Sequence, residues 1–175
     1  VLGVACTGAA VGSIPVVPTG YAEAAGNRGL IGWLLACQAA GALIGGLLYA
    51  RAGPGRPSRL PLLAACFALG YVPLPLAPAP AWMTLLQAVS GPGLPPLLTA
   101  CFLAADRLAP PGTAVEAFAW IFTAFTVGSA TGAALAGPLT DVSVRTGFAF
   151  APLAALLAVA AMAAVATTRP TPPNS

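Results

Sequence analysis

Apolar residues fill this chain in long blocks, and the few charged positions mark where each block ends. No charge precedes Glu23, and none falls between Arg28 and Arg51, Arg59 and Asp106, Glu116 and Asp141, or Arg145 and Arg169. A helix needs about 20 apolar residues to cross a bilayer, so four of these blocks fit one span each. The block from Arg59 to Asp106 is twice as long and carries its own divider, "PLPLAPAP" at 73–80. Prolines at that density exclude a helix interior. The pattern therefore predicts six membrane-spanning helices, near 1–20, 29–50, 60–76, 81–104, 115–138 and 147–167. The tail, residues 169–175, is polar and proline-rich and predicts a disordered end.

Composition agrees with a membrane solvent. Soluble domains carry roughly 25% charged residues; this chain carries 6%, with 58% hydrophobic residues and a mean hydropathy of +0.89. A signal peptide is a poor reading of the first block, because no basic segment precedes it and five more spans follow. The chain starts at Val1 rather than Met, so it is expected to be part of a longer protein.

Charge adds a topology. All seven basic residues are arginine. With six spans the loops alternate, placing Arg51, Arg56, Arg59, Arg107 and Arg169 on one side and Arg28 and Arg145 on the other. Basic residues favour the cytoplasmic side, so both ends of the chain are expected in the cytoplasm. The net charge of +3 thus speaks of orientation and not of nucleic-acid binding. Cys6, Cys37, Cys66 and Cys101 fall in four different spans, and there is no histidine. No metal, disulfide scaffold or cofactor is expected from that pattern. With no lysine, histidine or paired carboxylates, an enzyme is not expected either.

Polar residues are unevenly shared. Span one holds Thr7 and Ser13, span two Gln38, span four Thr84, Gln87, Ser90 and Thr99, and span five Thr123, Thr126, Ser129 and Thr131. Residues 62–72 and 152–166, in spans three and six, contain no serine, threonine, amide or charged side chain and read as helices that face lipid. Polar, polar, apolar, twice over, predicts two three-helix repeats. Gly41, Ala42, Gly46 and Leu48 also match Gly132, Ala133, Gly137 and Leu139 at a constant offset of 91. Three helices per repeat force opposite topologies, an arrangement common in secondary transporters.

Three stretches resemble the C-terminal six-helix half of a major facilitator superfamily transporter. In "GGLLYARAGPGR", 45–56, Gly46, Arg51, Gly53 and Arg56 are similar to that family's loop motif, although Ala50 stands where the family carries aspartate. The segments 91–118 and 128–141 resemble the fourth helix with its loop and the small-residue fifth helix. The resemblance implies an all-α fold of two inverted three-helix repeats, completed by an N-terminal six-helix half. It further implies alternating access, a small-molecule substrate and protons as coupling ion, while the alanine- and arginine-heavy, lysine-free composition points to a bacterium and so to its inner membrane. Efflux of drug-like compounds is the leading expectation. Transport of a sugar or other neutral metabolite is the second, and a non-transporting structural or assembly subunit the third.

Gln87 and Ser90, three apart and so on one helical face, are the foremost candidates for a substrate pathway, with Gln38, Thr7 and Ser13 behind them. Bonds between helices are an equal reading of each. The prolines and glycines of "SGPGLPPLL", 90–98, namely Gly91, Pro92, Gly93, Pro95 and Pro96, predict a bend in span four that acts as a gating hinge. Thr113 and Glu116 have the spacing of a capping box.

Overall fold

A computed structural model describes residues 1–53, 59–76 and 79–167 of the chain. It is all helical: α1 (Leu2–Gly12), α2 (Val16–Ala24), α3 (Gly29–Ala52), α4 (Leu60–Tyr71), α5 (Pro80–Ser90), α6 (Leu94–Leu108), α7 (Ala114–Val142) and α8 (Val144–Thr167). A 3₁₀ turn, Leu74–Leu76, extends α4, and another, Gly91–Gly93, joins α5 to α6.

Five helical segments are long and apolar enough to cross a membrane: Leu2–Ala24, Gly29–Ala52, Pro80–Leu108, Ala114–Val142 and Val144–Ala164. The sixth, Leu60–Leu76, is apolar but shorter. It nevertheless runs the length of the bundle. Leu60 shares a cleft with Val1, Leu108 and Ala117 at one end, and Leu76 shares a cleft with Ala24, Pro80 and Val144 at the other. The chain thus passes six times between two ends and is a polytopic helical membrane protein. Arg51, Arg59 and Arg107 gather at the first end, and Arg28 and Arg145 at the second. Arg56 and the tail from Arg169 lie outside the described residues.

The spans end where local chemistry dictates. Gly53, at φ 79°, stops α3 in a conformation that side chains resist. A single residue, Ser143, separates α7 from α8; its Oγ accepts the Thr146 N–H at 3.3 Å, an N-cap for α8. The Thr146 hydroxyl donates back to Leu139 O at 2.6 Å, tying the two helices at their turn. The capping box expected at the start of α7 does not form. Thr113 makes no side-chain cap bond; its N–H, which the box would give to Glu116, goes to Pro110 O at 3.0 Å, and its hydroxyl donates to the same oxygen at 2.9 Å.

Two spans are broken at mid-length. Span one divides into α1 and α2 at Ser13–Pro15, where Ser13 O accepts from both Val16 N–H and Val17 N–H. Proline at positions 15 and 18 removes two ladder donors. Span four divides at Gly91–Gly93. There Pro92 lies in the first turn of the 3₁₀ segment and Pro95 in that of α6. First-turn N–H groups have no partner within their helix, so proline is accommodated there without losing a bond.

Two seams of small residues hold the bundle. The most extensive contact is between α1 and α7. A Cβ on Gly12 would land on the Ser129 carbonyl, and one on Gly132 on the Ala9 carbonyl, so these backbones touch. The second seam joins span two to the broken span four. A Cβ on Gly41 would land on the Ala88 carbonyl, and one on Gly91 on the Gln38 carbonyl. Without a hydrophobic drive between helices in lipid, this close approach supplies much of the packing.

Spans three and six do not lie wholly outside, as their lack of serine, threonine and amides suggested. Ala64, Phe67, Ala68 and Tyr71 of α4, and Phe148, Ala151, Ala154, Ala155 and Ala158 of α8, are buried. Leu62 and Leu69, and Leu153, Leu156 and Leu157, occupy the exposed faces. The helices α4 and α8 pack on each other. Spans two and five are the most open, with 17% and 22% of their apolar windows buried against 50% for span one. Helices α4 and α8 are thus two-sided, with alanine, glycine and aromatic residues on the packed face and leucines on the open one.

Candidate functional site

The broken spans converge on one groove. Ile14 and Pro15 from the break in span one face Gly91 and Leu94 from the break in span four, with Gln38 of α3 and Tyr71 of α4 beside them. The groove has a volume of about 280 Å³. Its walls are aliphatic, and its polar side chains are one amide and one phenol. The half-buried Gln38 Nε2 donates to Tyr71 Oη at 3.3 Å, a bond from span two to span three.

Tyr71 is held there by its own helix. Phe67, one turn earlier, packs against it with ring centroids 4.8 Å apart and planes tilted by 51°. The α4 backbone in turn lies against the break in span four. A Cβ on Gly93 would come within 2.7 Å of Phe67 Cα, and one on Gly70 within 3.1 Å of Ser90 Cα. The third span therefore lies with Tyr71 against the 3₁₀ segment that interrupts the fourth.

A second, much smaller cavity adjoins this region. Ser13, Tyr71 and Gln87 line it together with Ile14 and Val17. Tyr71 and Ile14 belong to both cavities.

The residues singled out from the sequence are placed as follows. Gln38 and Gly91 line the groove. Gln87 and Ser90 are fully buried, each 1% exposed, as are Thr7 and Ser13. Ser90 Oγ donates to Gln87 O at 2.8 Å, Thr7 Oγ1 to Gly3 O at 2.9 Å, and Ser13 Oγ to Ala10 O at 2.7 Å. These hydroxyls spend their protons on their own helices, a pattern typical of serine and threonine within helices. The bonds between helices proposed as their other reading are not the ones they make. Gln87 is different: neither its Nε2 nor its Oε1 has a partner.

Pro92 packs on Gly45, Pro95 reaches Gly46 at 3.4 Å from an added Cβ, and Pro96 is buried. Gly46, Arg51 and Gly53 occupy the last turns and the end of α3, away from the groove, with Arg51 exposed. A census of serine, threonine, amide and charged side chains leaves out Tyr71. Its phenol is the one hydroxyl in 60–76, and that isolation was a usable signal.

Comparison with protein-family models, curated proteins and solved structures finds no match to this chain. The class is set by the fold: a multi-pass, all-helical membrane bundle with a groove at two helix breaks, consistent with a transport-type fold.

Proposed function

We propose that this chain is one half of a secondary active transporter that moves small organic molecules by alternating access, and that it is not an enzyme. The observation that carries the reading is the meeting of two broken spans at one sparsely polar groove. Interrupted helices in corresponding positions of two repeats commonly build such binding sites. The correspondence extends to the seams. Gly91 follows Gly12 by 79 residues, as Ala88 follows Ala9; Gln38 precedes Ser129 by 91, as Gly41 precedes Gly132. This supports two three-span repeats of opposite direction, in keeping with the resemblance to major facilitator transporters.

On this reading the open faces of spans two and five receive a second six-helix half. The arginine-richer end is cytoplasmic, by the positive-inside rule, in a bacterial inner membrane. The residues that line the groove carry no charge, which suits neutral or amphipathic compounds. Proton-coupled efflux is the form proposed, with the titrating carboxylate supplied by the other half. The Gln38–Tyr71 pair also favours a second reading, transport of a neutral, hydroxyl-rich metabolite, because an amide and a phenol bind hydroxyls without charge.

The test is flux in liposomes holding the full-length protein under an imposed proton gradient. Fluorescent amphipathic drugs are expected to move, and Gln38→Leu is expected to slow them or change their order of preference. Gradient-driven movement of sugars instead would select the second reading. A protein that moves neither class would overturn transport.

A further inference from the structure

Among the described residues, the Gln87 amide supplies the buried side-chain polar atoms that no hydrogen bond meets. Both its polar atoms lack partners, although the side chain is 1% exposed. A buried polar group left unpaired forfeits its hydration with nothing in return, and native structures rarely carry one without an occupant that meets it.

The surroundings fit one small occupant. Gln87 lines a cavity of about 10 Å³, counted over positions open to the centre of a water. One water needs roughly 10–15 Å³ on that scale, and two to four polar partners. Two more polar side chains line the same cavity, Ser13 and Tyr71. Ser13 Oγ has given its proton to Ala10 O, which leaves its lone pairs to accept. Tyr71 Oη accepts from Gln38, which leaves its own proton to give.

We propose that Gln87, Ser13 and Tyr71 hold a single internal water that ties the two broken spans together. The water accepts the Tyr71 proton, donates to Ser13 Oγ, and pairs with one end of the Gln87 amide. Ser13 opens the break in span one, while the Gln87 carbonyl receives the Ser90 hydroxyl at the break in span four. The two breaks, which share no direct side-chain bond among those described, are thereby joined through one molecule. Tyr71 carries the connection to Gln38 and so to the groove. The site stands independently of what the groove transports.

Stability measured by unfolding in mixed micelles distinguishes this from a bare amide. Gln87→Met keeps the length of the side chain and removes its polar atoms. If the water is present, this variant raises the unfolding constant about tenfold. Ser13→Ala raises it as well, and the double variant is no worse than the worse single one, because both act on one water. A Gln87→Met protein that is more stable than the parent would overturn the proposal, as would effects that simply add. Stabilisation by sodium but not by potassium or choline would also overturn it, since the occupant would then be a cation. A second readout needs no variant. Proton cross-relaxation between the Gln87 side-chain amide and a long-lived water is expected, and exchange with bulk solvent alone would count against the site.

Discussion

The two seams of the bundle pack alike and are equipped differently. Between spans one and five, Gly12 and Gly132 let backbone meet backbone at Ser129 and Ala9. Between spans two and four, Gly41 and Gly91 do the same at Ala88 and Gln38. Yet in the first seam the Thr7 and Ser13 hydroxyls return to carbonyls of their own helix. In the second lie three prolines and the amide that reaches Tyr71, while the breaks of spans one and four both border the groove. Close packing is therefore a shared framework. Chemistry gathers where a polar group is not satisfied by its own helix, and in the second seam that condition falls on the amides of Gln38 and Gln87, whereas the Ser90 hydroxyl bonds its own helix.

The comparison is tested first at the glycines. Gly132→Ala and Gly41→Ala each drive a methyl into a facing carbonyl that cannot rotate away, so each is expected to cost about 1–3 kcal/mol or more. Gly137→Ala, with nothing within 4 Å of its added methyl, is expected to be neutral or to gain up to about 1 kcal/mol from helix propensity. Micelle unfolding of the three variants reads this directly. A large cost at Gly132 and none at Gly41 would break the likeness of the seams.

The prolines come next. Pro95 sits in the first turn of α6, where its ring suits the backbone and forfeits no bond. Pro95→Ala is therefore expected to lose only about 0.4–1 kcal/mol, through the added freedom of the unfolded chain. Replacing Pro92, Pro95 and Pro96 together restores three N–H donors at the break, so on the transporter reading turnover in liposomes is expected to fall by more than stability does. Unchanged turnover would reduce the break to a packing feature.

The smallest effect is expected in the first seam. Thr7→Val keeps the shape of the side chain and removes a hydroxyl that serves only Gly3 O. Its cost is expected to stay within about 0.5 kcal/mol in the same unfolding assay. A larger loss would show that this hydroxyl has a second partner and that the first seam is not self-contained.

Much of the fold was legible from charge placement, because a charge in hydrocarbon is costly and so falls at span ends. The divider at 73–80 marks the boundary between Leu76 and Pro80, and the helices lie within a few residues of the windows. The break in span four could be read from Pro92, Pro95 and Pro96. The one in span one could have been, since Pro15 and Pro18 interrupt that block in the same manner. The site was less legible. Gln87 and Ser90 share a helical face, but that face points into packed neighbours, whereas Gln38 borders the groove. Periodicity places residues on a face without saying what the face meets.

By itself the sequence determined the apolar solvent, the helical class and the multi-pass plan, because each follows from the local cost of burying charge and backbone in lipid. Only the tertiary structure decided which helices pair and which polar groups remain unpaired. Those outcomes depend on which small-residue faces come together across the fold. Gly41 has no reason to matter until Ala88 stands against it, and Gln87 is an ordinary amide until packing leaves it Ser13, Tyr71 and room for one water.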